Sequence, residues 1–163
     1  VNFSDPFGLK VCFQGSAQDV SDLKAATENA TNTNLTLDKG NCVSGVESRG
    51  DTTFNRIRAG FQGLVDADEV FGVRFTSIFT SEQISPYFVD VFEHYGALAY
   101  PKWVKGRCVR EQEPWDLSQV MAHELYHHYT VPKTGSMNPN EMAAVRAENL
   151  YNRAAGRPIR CAY

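Results

Sequence analysis

Apolar residues recur along this chain at two periods, and each period points to a kind of element. From Ala17 to Ala30, Val20, Leu23, Ala26 and Ala30 stand three to four residues apart, the spacing of one helix face, with Ser16 in front as a capping residue. Thr53–Val65 repeats the pattern through Phe54, Ile57, Phe61, Leu64 and Val65. Elsewhere the period is two. Leu9–Phe13 alternates loosely, and Phe71–Phe79 sets Phe71, Val73 and Phe75 against Gly72, Arg74 and Thr76, as a half-buried strand does. Asn34–Leu37 reads as a short strand running into a turn at Lys39-Gly40-Asn41, and Gly45–Gly50 reads as loop. Tyr87–Phe92 and Gly96–Tyr100 are apolar and aromatic and read as further strands, where an open edge could pair with an extended peptide.

Two more helices follow. Leu117, Val120, Met121, Leu125 and Tyr129 form an apolar stripe, with Asp116 or Ser118 as N-cap and Val131-Pro132 and Gly135 as the stop. Asn138 or Asn140 then caps a helix that runs to Ala155 and ends at Gly156 and Pro158. The 163 residues therefore predict one α+β domain with room for a core. No repeat or low-complexity segment divides it.

The third helix carries the chemistry. His123-Glu124-Leu125-Tyr126-His127 reads H-E-x-x-H, and residues four apart on a helix share a face, so both imidazoles can hold one metal ion. Zinc suits such a pair, because it takes His nitrogen and leaves a position open when three protein groups bind it. Glu124 lies beside the ion, placed to take a proton from water that the metal makes acidic. The alternative is a surface helix carrying two histidines by chance. His128 turns away from the His123/His127 face and reads as a surface or supporting histidine rather than a ligand.

A third protein ligand is needed, and the fourth helix offers Glu141 and Glu148, seven residues apart and near one face. Glu141 is favoured because it sits in the first turn, where the returning chain meets the metal. Glu148 then orients a ligand histidine or pairs with Arg146 or Arg153, and it remains the alternative ligand.

Composition removes several function classes. A net charge of −3 with no dense Lys/Arg run argues against a nucleic-acid partner. No apolar run is long enough to span a bilayer, and no secretory signal opens the chain, which predicts a cytosolic protein or a fragment released from something larger. Cys12, Cys42, Cys108 and Cys161 lack C-x-x-C spacing, so a second zinc site is not expected; two disulfides in any of three pairings, or four free thiols, stay open. The sequons at Asn29 and Asn34 read as coincidences in a polar stretch.

The H-E-x-x-H motif is followed by E-x-x-A-V-R-x-E-N over Glu141–Asn149 and by G-x-P-x-R-x-x-Y over Gly156–Tyr163. Together these resemble the secreted-effector metallopeptidases of pathogenic bacteria, relatives of the clostridial neurotoxin light chains. The resemblance covers about the last third of the chain, Leu117 to Tyr163. It implies a compact zincin-like metallopeptidase domain with His123, His127 and Glu141 on Zn2+, Glu124 as general base, and Arg160 with Tyr163 stabilising the oxyanion. A bond from Cys161 could tie down that last pair. At the other end, Asp5-Pro6-Phe7-Gly8-Leu9 resembles the D-P-x-G-L junction that closes the core of Rhs/YD-repeat proteins.

Residues 1–9 would then end an Rhs core, and residues 10–163 would be a toxin domain freed from its shell. The resemblance implies a zinc endopeptidase that a specialised secretion system delivers into a target cell, there to cleave a protein, with a cognate immunity protein guarding the producer. Two other readings are a metal-dependent cell-wall amide hydrolase and a non-catalytic, zinc-stabilised protein-binding module. The substrate, the bacterial or eukaryotic target and the oligomeric state are not readable from these residues.

Overall fold

The computed structural model describes residues 11–77, 88–129 and 141–161. In chain order these form β1 (Val11–Phe13), α1 (Ala17–Thr31), β2 (Thr33–Leu37), β3 (Val43–Ser48), α2 (Asn55–Val65), β4 (Phe71–Thr76), β5 (Phe88–Phe92), β6 (Ala99–Val104), β7 (Arg107–Pro114), α3 (Leu117–Tyr129) and α4 (Glu141–Ala154). Single 3-10 turns stand at Thr52–Phe54 and Tyr95–Ala97. The result is a mixed α/β domain.

Its centre is a parallel sheet of order β1-β4-β5. Parallel strands are covered on both faces, and here Val11, Val73, Val89 and Val91 are wholly buried. The long connection from β1 to β4 holds α1, the β2–β3 hairpin and α2. Helix α3 packs against α1, α2, α4 and β5, which places the H-E-x-x-H segment at the middle of the molecule.

Both early helices follow their apolar periodicity. Ser16 closes a capping box on α1: its Oγ accepts from the Asp19 amide at 3.1 Å, while its own amide donates to Asp19 Oδ2 at 2.9 Å. Val20, Leu23, Ala26 and Ala30 are buried, as are Phe54, Ile57, Phe61, Leu64 and Val65 on and before α2. Asn32, left-handed at φ 54°, ends α1.

The hairpins depart from expectation. Gly45–Gly50, read as loop, lies mostly in β3, where Leu35 pairs with Val46 and Thr36 with Gly45. A Cβ on Gly45 would stand 3.4 Å from Thr36 Cβ, at van der Waals contact with its partner strand. Gly96–Tyr100, read as a strand, begins in the 3-10 turn, and the strand starts at Ala99. It pairs with β7 around Lys105 (φ 47°) and Gly106 (φ 77°), the two left-handed residues that a tight hairpin turn requires. The expected extensions to Leu9, Phe79 and Tyr87, the stop at Val131-Pro132 and Gly135, and the caps at Asn138 or Asn140 lie outside the described residues, as do Asp5–Leu9 and Tyr163. Among the described residues no helix is long and apolar enough to cross a membrane.

Candidate metal centre

Asp116 starts α3. Its Oδ1 accepts from the Gln119 amide at 2.7 Å, while Tyr151 Oη and Arg157 Nε hold its other oxygen at 2.8 and 3.2 Å. Ser118, the other candidate cap, instead accepts from Asn29 Nδ2 at 3.1 Å and ties α3 to α1. Burial of Val120, Met121 and Leu125 fixes the rotation of the helix. That rotation presents His123 and His127 to the start of α4.

Three side chains meet there. His123 Nε2 and His127 Nε2 are 3.0 Å apart, and the Glu141 carboxylate reaches them at 3.1 and 3.2 Å. All candidate donor atoms of this trio lie within 4.8 Å of one another. Ligands about 2.0–2.1 Å from a tetrahedral zinc stand about 3.3 Å apart, so the observed spacing fits one shared ion. The group of His123, His127 and Glu141 could therefore hold a metal.

Behind His123 the wall is polar and closed. His123 Nδ1 shares a 2.5 Å hydrogen bond with Glu148 Oε1, which also accepts from Arg160 Nη1 at 2.6 Å. Gln119 Nε2 donates to the other Glu148 oxygen at 3.0 Å. Glu148 is entirely buried, and Arg160 nearly so, with its guanidinium 5.2 Å from the centre of the Trp115 ring. With Nδ1 donating to the carboxylate, Nε2 is the nitrogen left with a lone pair for a metal.

Electrostatics follow from this packing. For His123, burial works against the charged ring, but hydrogen bonds to Glu141 and Glu148 and the surrounding carboxylates outweigh it and raise its pKa to about 9. Burial raises Glu124 to about 7, against the pull of His123 and with the push of Glu141, Glu148 and Asp90. Glu141, more than half exposed, is lowered first by its hydrogen bond to His123.

The structure thus brings His123, His127 and Glu141 together and sets half-buried Glu124 within the field of the same groups. Glu148 takes the orienting place, with Arg160 as its cation instead of Arg146 or Arg153. His128 is not at the surface: it is 2% exposed and packs edge-on against Phe71, ring centres 6.0 Å apart. Gln119 and Trp115 join the site from outside the H-E-x-x-H motif. The spacing of Gln119 to His123, four residues on one helix face, was the available signal for the first; nothing local marked the second.

No family model matches the chain, and neither do any curated protein or solved structure.

Proposed function

We propose that this protein is a zinc-dependent endopeptidase with a zincin-like α3–α4 active site, in which His123, His127 and Glu141 hold the ion and Glu124 is the general base. The observation that carries the reading is the meeting of two imidazole nitrogens and one carboxylate at ligand spacing, with Glu124 between the two histidines in the chain. Zinc held there would supply a Lewis acid for a peptide carbonyl and lower the pKa of nearby water. Glu124 takes the proton from the attacking water and hands it to the departing amine. Glu148 keeps the His123 ring in its metal-facing tautomer. Arg160 binds Glu148 through Nη1, and the oxyanion role that the resemblance implies for it with Tyr163 is kept as part of this proposal.

The wider setting rests on the resemblance. We read residues 10–163 as an effector toxin domain released at the D-P-x-G-L junction from an Rhs shell, exported by a specialised secretion system, acting on a protein in the target cell and neutralised by an immunity protein. Two disulfides, Cys12–Cys42 and Cys108–Cys161, agree with passage through an oxidising compartment.

The test is peptide N-terminus profiling of a cell lysate treated with zinc-loaded wild-type protein or with Glu124→Gln. New termini in the wild-type sample alone support the proposal. No new termini from protein with zinc bound would turn the reading to a cell-wall amide or to a non-catalytic module.

A further inference from the structure

The segment that carries Arg160 is not free-standing. Ile159–Cys161 lies antiparallel to β6: Trp103 N donates to Ile159 O and Cys161 N to Pro101 O, both at 2.9 Å, around a bridge between Lys102 and Arg160. Asn149 clamps the Arg160 main chain from α4, accepting from its amide at 2.8 Å and donating to its carbonyl at 2.9 Å. One covalent tie completes the arrangement: Cys161 is bonded to Cys108 on β7, closing a loop across a separation of 53 residues.

These contacts form a line from a disulfide to the metal centre. Cys108–Cys161 fixes the position of Arg160, Arg160 holds Glu148, and Glu148 holds His123. The two disulfides differ in access. Cys12 and Cys42 are 1% and 7% exposed, while Cys108 lies on the exposed face of its hairpin. Thiol–disulfide exchange requires a thiolate to reach a sulfur, so an outside reductant meets Cys108 first.

We propose that the Cys108–Cys161 disulfide is a redox latch on the metal centre, tightening the ion's hold when oxidised and loosening it when reduced. The inference rests on the metal-binding reading above. A dithiol reductant attacks the Cys108 sulfur and the Cys161 thiolate leaves and is protonated; the second thiol of the reductant then attacks the mixed disulfide, closing its own disulfide and releasing the Cys108 thiolate, which is protonated in turn. The protein gains two electrons and two protons, and the reductant loses them. Ile159–Cys161 then loses its anchor to β7, and its hydrogen bonds to β6 open more often. Arg160 holds Glu148 less firmly, and His123 loses part of its orientation. Disturbing a group that orients a ligand costs about tenfold or more in metal affinity.

The experiment uses the full chain. Zinc affinity is measured by competition with a chromogenic chelator for the oxidised protein, for the protein reduced by a dithiol under native conditions, and for Cys108→Ser/Cys161→Ser. Cys12→Ser/Cys42→Ser is the matched control. Hydrogen exchange at the Trp103 and Cys161 amides, with and without zinc, reports the latch independently of the metal. The expected result is about a tenfold loss of affinity, with faster exchange at both amides, only where Cys108–Cys161 is broken. In an Arg160→Gln background, breaking it should bring no further loss, because both act through Glu148. If the double serine variant does not fold by circular dichroism, native reduction of the wild type carries the comparison. Zinc held equally by all folded forms overturns the latch and leaves the metal centre standing. Zinc held by none, with exchange still faster on reduction, overturns the metal reading and the latch's effect on it, while showing that the disulfide does anchor the segment.

Discussion

His123 and Glu148 share a buried hydrogen bond of 2.5 Å, and the carboxylate end of that bond has no solvent exposure at all. Burying a carboxylate is costly unless its oxygens are matched, and here Arg160 and Gln119 complete the match. This bond divides the work of two glutamates on one helix. Glu141, more than half exposed, meets the Nε2 atoms of His123 and His127, and Glu148 supports the His123 imidazole from behind.

That division predicts different costs. Glu148→Ala should weaken zinc binding by about 10–100-fold. It should also destabilise the metal-free protein by about 3 kcal/mol, because buried Arg160 loses its ion pair with Glu148. Glu141→Ala should strip zinc from the purified protein yet change metal-free stability by less than about 1 kcal/mol, since its exposed ion pairs are screened. Atomic absorption and chemical denaturation with a chelator present measure the two halves. A zinc-free Glu148→Ala beside a zinc-replete Glu141→Ala would exchange the assignments.

A proton stands in for the metal at His123. Its folded pKa is raised from 6.5 to about 9, so its contribution to metal-free stability is fully present below pH 6.5 and is lost as pH rises through 9. The chelated protein should lose stability over that window, by an amount on the order of 3 kcal/mol. The zinc form should not follow it, because the metal keeps the ring unprotonated. Zinc uptake near pH 7 should accordingly release a proton, read by calorimetry in two buffers of different ionisation heat. Uptake heats that do not depend on the buffer would refute the protonated state.

Two glycines on α2 should respond to alanine with opposite sign. A Cβ on Gly60 would lie 2.7 Å from Tyr129 Cγ, at the root of a ring that cannot swing away, whereas Gly63 has nothing within 4 Å. Gly63→Ala should gain about 0.5–1 kcal/mol from helix propensity. Gly60→Ala should lose more than it gains, by about 1–3 kcal/mol, as α2 is pushed off α3 beside the metal helix. Urea denaturation of both variants decides this, and stabilisation by Gly60→Ala would show that the two helices pack less tightly than the geometry requires.

What was legible in advance was local. The faces of α1 and α2, the Ser16 cap and the His123–His127 pair depend on residues a few positions apart, and helical geometry alone places them. β3 was harder to read, because Gly45 and its polar neighbours resemble a loop until Leu35 and Thr36 arrive as partners. The turn at Lys105-Gly106 lacked the usual Asn or Asp, so the β6–β7 pairing had no strong signal.

By itself, then, the sequence determined that two imidazoles would face one way on one helix with a glutamate between them. Tertiary structure alone decided the rest. Glu141 and Glu148 share a helix face, so only the packing of α4 on α3 could send one to the His123–His127 pair and bury the other. Phe71, far off in the chain, buried His128. Four cysteines permit three pairings, and the approach of β1 to Cys42 and of β7 to Cys161 selected one. Each of these depends on groups remote in sequence, whose meeting no local spacing encodes.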